Sequence, residues 1–527
     1  MRLNLTLSLP RLDRRASRSP PISRDWWILS ALCVGQVLLW GFAFGLTYQA
    51  PELDSAEQFV WAFSMENGYW KHPPMPSWIM HGLLQLFGAS VALPFVAAQV
   101  CVVAALSLVW RLGCEFMSPR RSLIATALTS LVAYHNLGAD SFNHSTALLP
   151  FQAATVLFFF LATRRKTFHL WALAGLFAGL SVLVKYVALM PILGLLLYFS
   201  LDRRLHNRNA VVGLAITIGT FAIVVLPHLL WLQAEDFLPF HYARTVARPL
   251  PGLLAALLGV ADFGLTQILR LVPLLLGLAF IVMLRHPRVR AATRLASSGR
   301  ELLFLWIVAL SPLTLTIAFA LATQTELQSR WGTNAFLYSG LVAMACVKRI
   351  DTSLMLRRTL GFVVATHVVL SLGMTIGKTV VADRLHLRTR ANFPGALLAS
   401  QAAAVWKAHT DAPLRIVVSD IWLGGNIIAN SRSPVAVLID GHVFKSPWVD
   451  EKAVAACGAL VLDDQTGESG ESPGNSPALN RLMAQASSTG SWNLPWAQSQ
   501  RQATDGATGV VRWGVIEPRD PAACAIR

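Results

Sequence analysis

Between Thr47 and Phe87 a very apolar sequence breaks into TYQAPELDSAEQFVWAFSMENGYWKHPPMPSWIMHGLLQLF. Asp54 and Glu57 stand three residues apart, so a helix over Asp54–Asn67 puts both carboxylates on one face. Lys71 and His72 follow, held rigid by Pro73 and Pro74, whose rings fix φ. A carboxylate in such a place accepts a proton or orients a hydroxyl group. A cation neutralises negative charge nearby. The two together suit chemistry on a charged head group where lipid meets water. Phe59, Val60, Trp61, Phe63 and Met65 give the helix an apolar side, so the spacing predicts that it lies on a membrane surface. A second amphipathic piece is expected over Ser77–Phe87. The plain alternatives are a solvated acidic pair and a proline turn.

Other residues of the right type are scattered further along. Asp140, in GADSFNHST, is either a second outer carboxylate or a helix cap. Lys185, in LSVLVKYVALMP, sits between two short apolar pieces, which is costly unless it faces a polar cavity. It either grips phosphate there or snorkels to the interface. His241, Tyr242, Arg244 and Arg248 fall in a later outer loop, where Arg244 either faces a bound anion or is plain surface charge. Arg330 can pair bidentately with phosphate or carboxylate. Trp331 offers a sugar-stacking face, or is an ordinary interfacial Trp.

The elements that must position these residues are membrane helices. Of 527 residues, 54% are hydrophobic and 14% charged, against ~25% charged in a typical soluble domain. Apolar blocks of about twenty residues recur, the length a bilayer core requires. The net charge of +16 is gathered between those blocks, the signature of cytoplasmic loops, and this excludes a nucleic-acid partner. Eleven spans satisfy the charge rule: 26–46, 90–110, 122–136, 145–162, 169–184, 187–200, 210–232, 262–284, 302–322, 335–347 and 359–376. Their inner turns carry Arg111, Arg120 and Arg121; Arg164–Lys166; Asp202–Arg204 and Arg208; Arg285, Arg288, Arg290, Arg294 and Arg300; and Lys348, Arg349, Arg357 and Arg358.

Residues 1–25 then form a basic cytoplasmic tail, 26–380 the transmembrane catalytic part with its first outer loop at 47–88, and 381–527 an outer domain. In the last, Leu414–Val418, Val435–Ile439, Ala459–Leu462 and Arg512–Glu517 read as strands. Pro394–Ala408 and Ile421–Ala429 read as helices, which makes a small α/β domain. Gly467–Pro477 has the composition of a disordered loop. Cys33, Cys101, Cys114 and Cys346 lie in or at spans, whereas Cys457 and Cys524 pair if their region faces an oxidising compartment.

The run of Asp54, the AEQ position, Gly68-Tyr69 and His72-Pro73-Pro74 resembles the first outer loop of the polyprenyl-phosphate-dependent glycosyltransferases of the GT-C fold. These include protein mannosyltransferases and lipid A aminoarabinose transferases. The resemblance implies an α-helical integral membrane protein with amphipathic juxtamembrane helices and a C-terminal periplasmic α/β domain. It implies a bacterial inner-membrane enzyme that takes a sugar from a polyprenyl-phosphate donor. The acceptor would be an envelope lipid or glycan, lipid A or lipopolysaccharide before protein. Asp54 would be the base or the acceptor-orienting carboxylate. Glu57, Lys71, His72, Asp140, Lys185, Arg244 and Arg330 would bind substrate.

Three departures from the family pattern matter. Ser55 follows Asp54 where an acidic pair is common, Val184 replaces a threonine before Lys185, and Lys71 stands where some relatives have a metal-holding glutamate. No cofactor is therefore called for, and a divalent metal has no support in the sequence. The alternatives are a protein O-mannosyltransferase-like enzyme and a transporter or flippase of lipid-linked sugars, which would bind near the bilayer midplane.

Overall fold

The computed structural model describes residues 24–283, 299–347, 352–465, 476–496 and 508–526. The basic tail before Arg24 lies outside the described residues, as do Arg285, Arg288, Arg290, Arg294, Lys348, Arg349 and most of the Gly467–Pro477 loop.

Seven described helices are long and apolar enough to cross a membrane. They are α1 (Arg24–Thr47), α4 (Leu93–Gly113), α6 (His144–Arg165), α9 (Arg208–Ala234), α11 (Leu253–Met283), α12 (Gly299–Thr323) and α14 (Thr352–Ile376). The last runs on through a π turn at Gly377–Val381 into α15 (Ala382–Arg384). Shorter apolar helices α7 (Phe168–Val184) and α8 (Leu189–Leu201) meet at Lys185, as the charge pattern predicts. Helix α11 begins nine residues before the predicted 262, so the preceding loop is shorter and is partly filled by α10 (Leu238–Val246).

Besides the short α7 and α8, two of the eleven predicted spans are too short for a full crossing among the described residues. The third contracts to α5 (Pro119–Thr129) and a 3-10 turn at Ala133–His135, and the tenth to α13 (Ser339–Cys346). At ~1.5 Å per residue neither reaches across a core ~30 Å thick. Helix α5 is buried from Arg121 to Thr129, and α13 turns Gly340, Leu341 and Met344 inward. They press so closely that a Cβ on Gly340 would stand 2.0 Å from the Ala125 carbonyl oxygen. Arg121, predicted at an inner surface, is buried here and donates to the Met344 and Val347 carbonyls at the end of α13. A cation suits the negative end of a helix.

The first outer loop holds α2 (Leu53–Trp61) and α3 (Met75–Phe87), shorter and longer respectively than predicted. Helix α2 does not lie on the membrane surface. Every residue from Ser55 to Trp61 is buried, and the helix packs against α17 (Ile421–Asn430) of the C-terminal part. Its apolar side faces another piece of protein, a partner more than 350 positions away in the chain, instead of lipid.

The C-terminal part is a five-stranded sheet in the order β2-β1-β3-β5-β4. Strands β1 (Ile416–Ser419), β2 (Ala436–Ile439) and β3 (Ala459–Asp464) are parallel. Strands β4 (Ser488–Pro495) and β5 (Thr508–Ile516) complete it antiparallel. The parallel strands are fully buried, which suits their continuous apolar runs. Strand β4 escaped sequence reading because STGSWNLP is poor in strand-forming residues. Asp420 caps α17 by accepting from the Leu423 amide at 2.8 Å. Cys457 and Cys524 form a disulfide that ties α18 (Glu451–Cys457) to the end of the chain.

A Cβ on Gly425 would lie 2.5 Å from the Ala56 Cβ and 2.7 Å from its Cα, so α2 and α17 touch through glycine. Gly425→Val is expected to cost about 1–3 kcal/mol. The displaced helix carries Asp54, so catalytic activity should fall as well; thermal melting and an activity assay on one preparation check both.

Candidate active site

Helix α2 places Asp54 in its first turn, where the helix dipole favours a carboxylate. Two elements distant in sequence converge on it. Arg330, in the 3-10 turn Ser329–Gly332, donates through Nη1 to Asp54 Oδ2 at 2.7 Å across 276 residues of chain. Asn143 Nδ2 donates to the same oxygen at 3.2 Å. Asp54 Oδ1 makes no hydrogen bond among the described residues. Asn143 also caps α6, with its Oδ1 accepting from the Ser145 and Thr146 amides, and so carries the capping role considered for Asp140.

Asp140 is freed for a different arrangement. The Tyr48 hydroxyl donates to its Oδ2 at 2.7 Å, and Lys378 lies 3.7 Å from that oxygen and 3.9 Å from Glu52. Lys378 also donates to the Tyr48 hydroxyl. Asp54, Asp140, Arg330 and Glu52 line one pocket of about 300 Å3, together with Arg270, Arg390, Tyr134 and Ser145. That is at the lower end of the size of small-ligand sites.

Lys185 approaches from the other side. Its extended backbone (φ −161°, ψ 134°) ends α7, and its Nζ donates to Ser145 Oγ at 2.8 Å beside the Asp54 charge. Beyond it sit Glu57, Lys71 and His72, behind the pocket wall and not on it. Lys71 Nζ is 2.9 Å from Glu57 Oε2 and rests over the Trp70 ring at 4.7 Å. Burial pushes the Glu57 carboxyl up from its ordinary range, and Lys71 partly offsets this. His72 packs against His144 with ring centroids 4.1 Å apart. Burial, then the neighbouring His144, Lys185 and Lys71, hold the His72 imidazole well below its ordinary value, so it is neutral. Glu57, His72 and His144 each offer a ligand atom within 4.8 Å of the others, the arrangement among the described residues that could take a metal ion. Lys71 already occupies the Glu57 carboxylate.

Arg244 is not brought to the pocket. Helix α10 turns its Tyr242 ring onto Trp70, 4.9 Å away, and Arg244 is exposed. His241 is exposed as well, and Arg248 pairs loosely with Glu326 at 3.8 Å. Trp331 is half-buried and does not line the pocket.

The comparisons with known proteins agree with this architecture. The family model described as dolichyl-phosphate-mannose-protein mannosyltransferase matches residues 71–231. The lipopolysaccharide core galacturonosyltransferase RgtA of Rhizobium johnstonii is 24% identical over 424 residues, 78% of this chain and 81% of that protein. The lipid A galacturonosyltransferase RgtD of the same organism is 25% identical over 199 residues, 37% of this chain and 41% of that one. ArnT from Cupriavidus metallidurans bound to undecaprenyl phosphate superposes with a TM-score of 0.59 at 13% identity, covering 96% of this chain and all of the other. Its apo form gives 0.54 at 13% identity, covering 93% and 98%. The chain is a glycosyltransferase of the GT-C fold. Its relatives act on lipopolysaccharide and lipid A by their names, and the multi-pass helical body of this glycosyltransferase is a membrane protein's.

Sequence reasoning missed Glu52, Asn143, Ser145, Arg270, Lys378 and Arg390 at this glycosyltransferase's site. For Arg270 a signal existed, since it is a lone arginine inside an apolar span. Asn143 and Ser145 lay in the same GADSFNHST stretch as Asp140 but carry no charge to draw attention.

Burial first, and the Asp140 charge second, push the Glu52 carboxyl up to about 7. The folded state thus holds this proton more tightly than the unfolded chain. The group's stabilisation is full below about 4.5 and declines as pH rises towards about 7. Melting temperatures across that window should fall less in Glu52→Gln than in the wild type; identical pH slopes would contradict the assignment.

Proposed function

We propose that this enzyme moves a sugar from a polyprenyl-phosphate carrier to lipid A or the lipopolysaccharide core, on the periplasmic side of a bacterial inner membrane. An undecaprenyl-like carrier fits the fold, since an ArnT structure of the same fold binds undecaprenyl phosphate. The names of both galacturonosyltransferase relatives favour a lipid or glycan acceptor over a protein one. They also favour galacturonate as the sugar.

The acceptor oxygen attacks the anomeric carbon, the bond from that carbon to the phosphate oxygen breaks, and the electron pair leaves with the polyprenyl phosphate. The acceptor's proton goes to Asp54. Its Oδ2 is fixed by Arg330 and Asn143 while Oδ1 stays open, so the carboxylate is oriented yet retains an accepting atom. This half-engaged carboxylate is the observation that carries the reading. Where the acceptor group is a phosphate, already anionic, Asp54 orients it through Arg330 instead. Lys185, beside Asp54 and anchored on Ser145, supplies positive charge for the leaving phosphate. Lys71 and His72 support that wall from behind through Glu57 and His144.

The test is transfer by purified protein from a polyprenyl-phosphate-linked sugar to lipid A or core acceptors. Asp54→Asn keeps the shape and the Arg330 contact but not the charge, and should cost about 10²–10⁴-fold in kcat. Undiminished transfer by that variant would defeat the site, transfer to peptide hydroxyls alone would favour the protein-mannosyltransferase reading, and lipid flipping without transfer would favour a transporter.

A further inference from the structure

Among the described cations that line the pocket around Asp54, Arg270 is one that its carboxylates do not account for. Asp54 is paired with Arg330, and Asp140 and Glu52 share Lys378. Arg270 makes no ion pair among the described residues. It lies midway along α11, flanked by Leu269 and Leu271, in a helix otherwise apolar enough to cross a membrane. A charge at such a depth is costly and is kept where it faces a polar cavity and meets a counter-charge. Arg270 faces the cavity, half-buried, but its described partner is an aromatic ring, with the guanidinium 5.2 Å from the centre of Tyr134.

That partner holds Arg270 in place without neutralising it. The Tyr134 hydroxyl stands within hydrogen-bond reach of two acceptors that share its one proton: Gln267 Oε1 at 2.9 Å, one turn before Arg270, and the Ser329 carbonyl next to Arg330. Gln267 is itself wedged against Gly332, where a Cβ would stand 1.9 Å from its Oε1. The two arginines are therefore tied to one rigid node, with Arg330 engaged on the reactive carboxylate and Arg270 open to the same cavity. A sugar ring whose anomeric carbon lies at Asp54 has a second polar edge within that cavity.

We propose that Arg270 selects an acidic sugar, its guanidinium taking the carboxylate of a hexuronate carried by the donor. This rests on the transfer reading given above and adds the group that reads the sugar. A planar guanidinium matches a carboxylate with two parallel hydrogen bonds, which a neutral hexose cannot supply. A phosphate on the acceptor lipid is the other oxyanion that could reach this position, and the experiment separates the two.

Reconstituted full-length protein is given a polyprenyl-phosphate hexuronate or the matching neutral hexose, with phosphorylated or dephosphorylated acceptor. The wild type should prefer the hexuronate by at least about tenfold in kcat/KM, since a site built for a polar group rejects the analogue that lacks it. Arg270→Gln should erase that preference chiefly by raising KM for the hexuronate, a loss larger than any it causes with the hexose, and Arg270→Lys should restore part of it. Thermal melting confirms that each variant is folded. An unchanged preference in Arg270→Gln would overturn the assignment. So would a defect that follows the acceptor phosphate and ignores the donor sugar. If the wild type transfers neither sugar, the transfer reading itself falls and takes this one with it; hexuronate transfer with an indifferent Arg270 removes only the latter.

Discussion

The contact between Asp54 and Arg330 is the constraint on which the site depends. It joins the first outer loop to a turn 276 residues later, with Arg330 Nη1 at 2.7 Å from Asp54 Oδ2. Neither residue is deeply buried: their side chains are 35% and 63% exposed, so the pair adds little to stability. Its value is positional. It holds a carboxylate at the mouth of a pocket, with Asn143 on the same oxygen and Lys185 close by, and leaves the other oxygen open. The weight of holding α2 there is carried elsewhere, by the buried face from Ser55 to Trp61 and its close approach to Gly425 of α17.

The α/β part is thus structural support for the chemistry. Its helix α17 covers the side of α2 that would otherwise meet lipid or water. Arg390, on the segment leading into that part, lines the pocket and rests over the α17 ring of Trp422 at 5.7 Å. The disulfide between Cys457 and Cys524 closes the far side of the same domain. Membrane helices supply Lys185 and Arg270, outer turns supply Asp54, Asp140 and Arg330, and the domain holds the lid of the first loop in place.

Much of this was legible in the sequence, for identifiable reasons. Long apolar blocks alternating with basic turns gave the membrane body, because a bilayer imposes length and the charge rule imposes direction. Asp54, Asp140, Lys185 and Arg330 stood out because charge is rare in such a chain, and the fold gathers all four around one pocket and its wall. What could not be read was what each apolar surface meets. Hydropathy alone does not distinguish a helix lying in lipid from one covered by protein, so α2 was expected on the membrane and α5 and α13 across it. Arg244 was expected near phosphate because it lay in the right loop, but the turn of α10 gives the inner position to Tyr242. Asn143 carries no charge, and its importance comes from an acid 89 residues away. Arg270 was hidden by the apolar average of its own span.

The central claim is that Asp54 and Arg330 stand together in the folded membrane protein, and it can be measured without any substrate. With Asp54→Cys and Arg330→Cys combined, a short thiol-to-thiol reagent applied to native membranes should link the two positions in most molecules, read as a protease-resistant joint between fragments cut in the intervening loops. Single variants should give no such joint. Failure of the pair to link, with both thiols reactive towards a monofunctional label, would contradict the account.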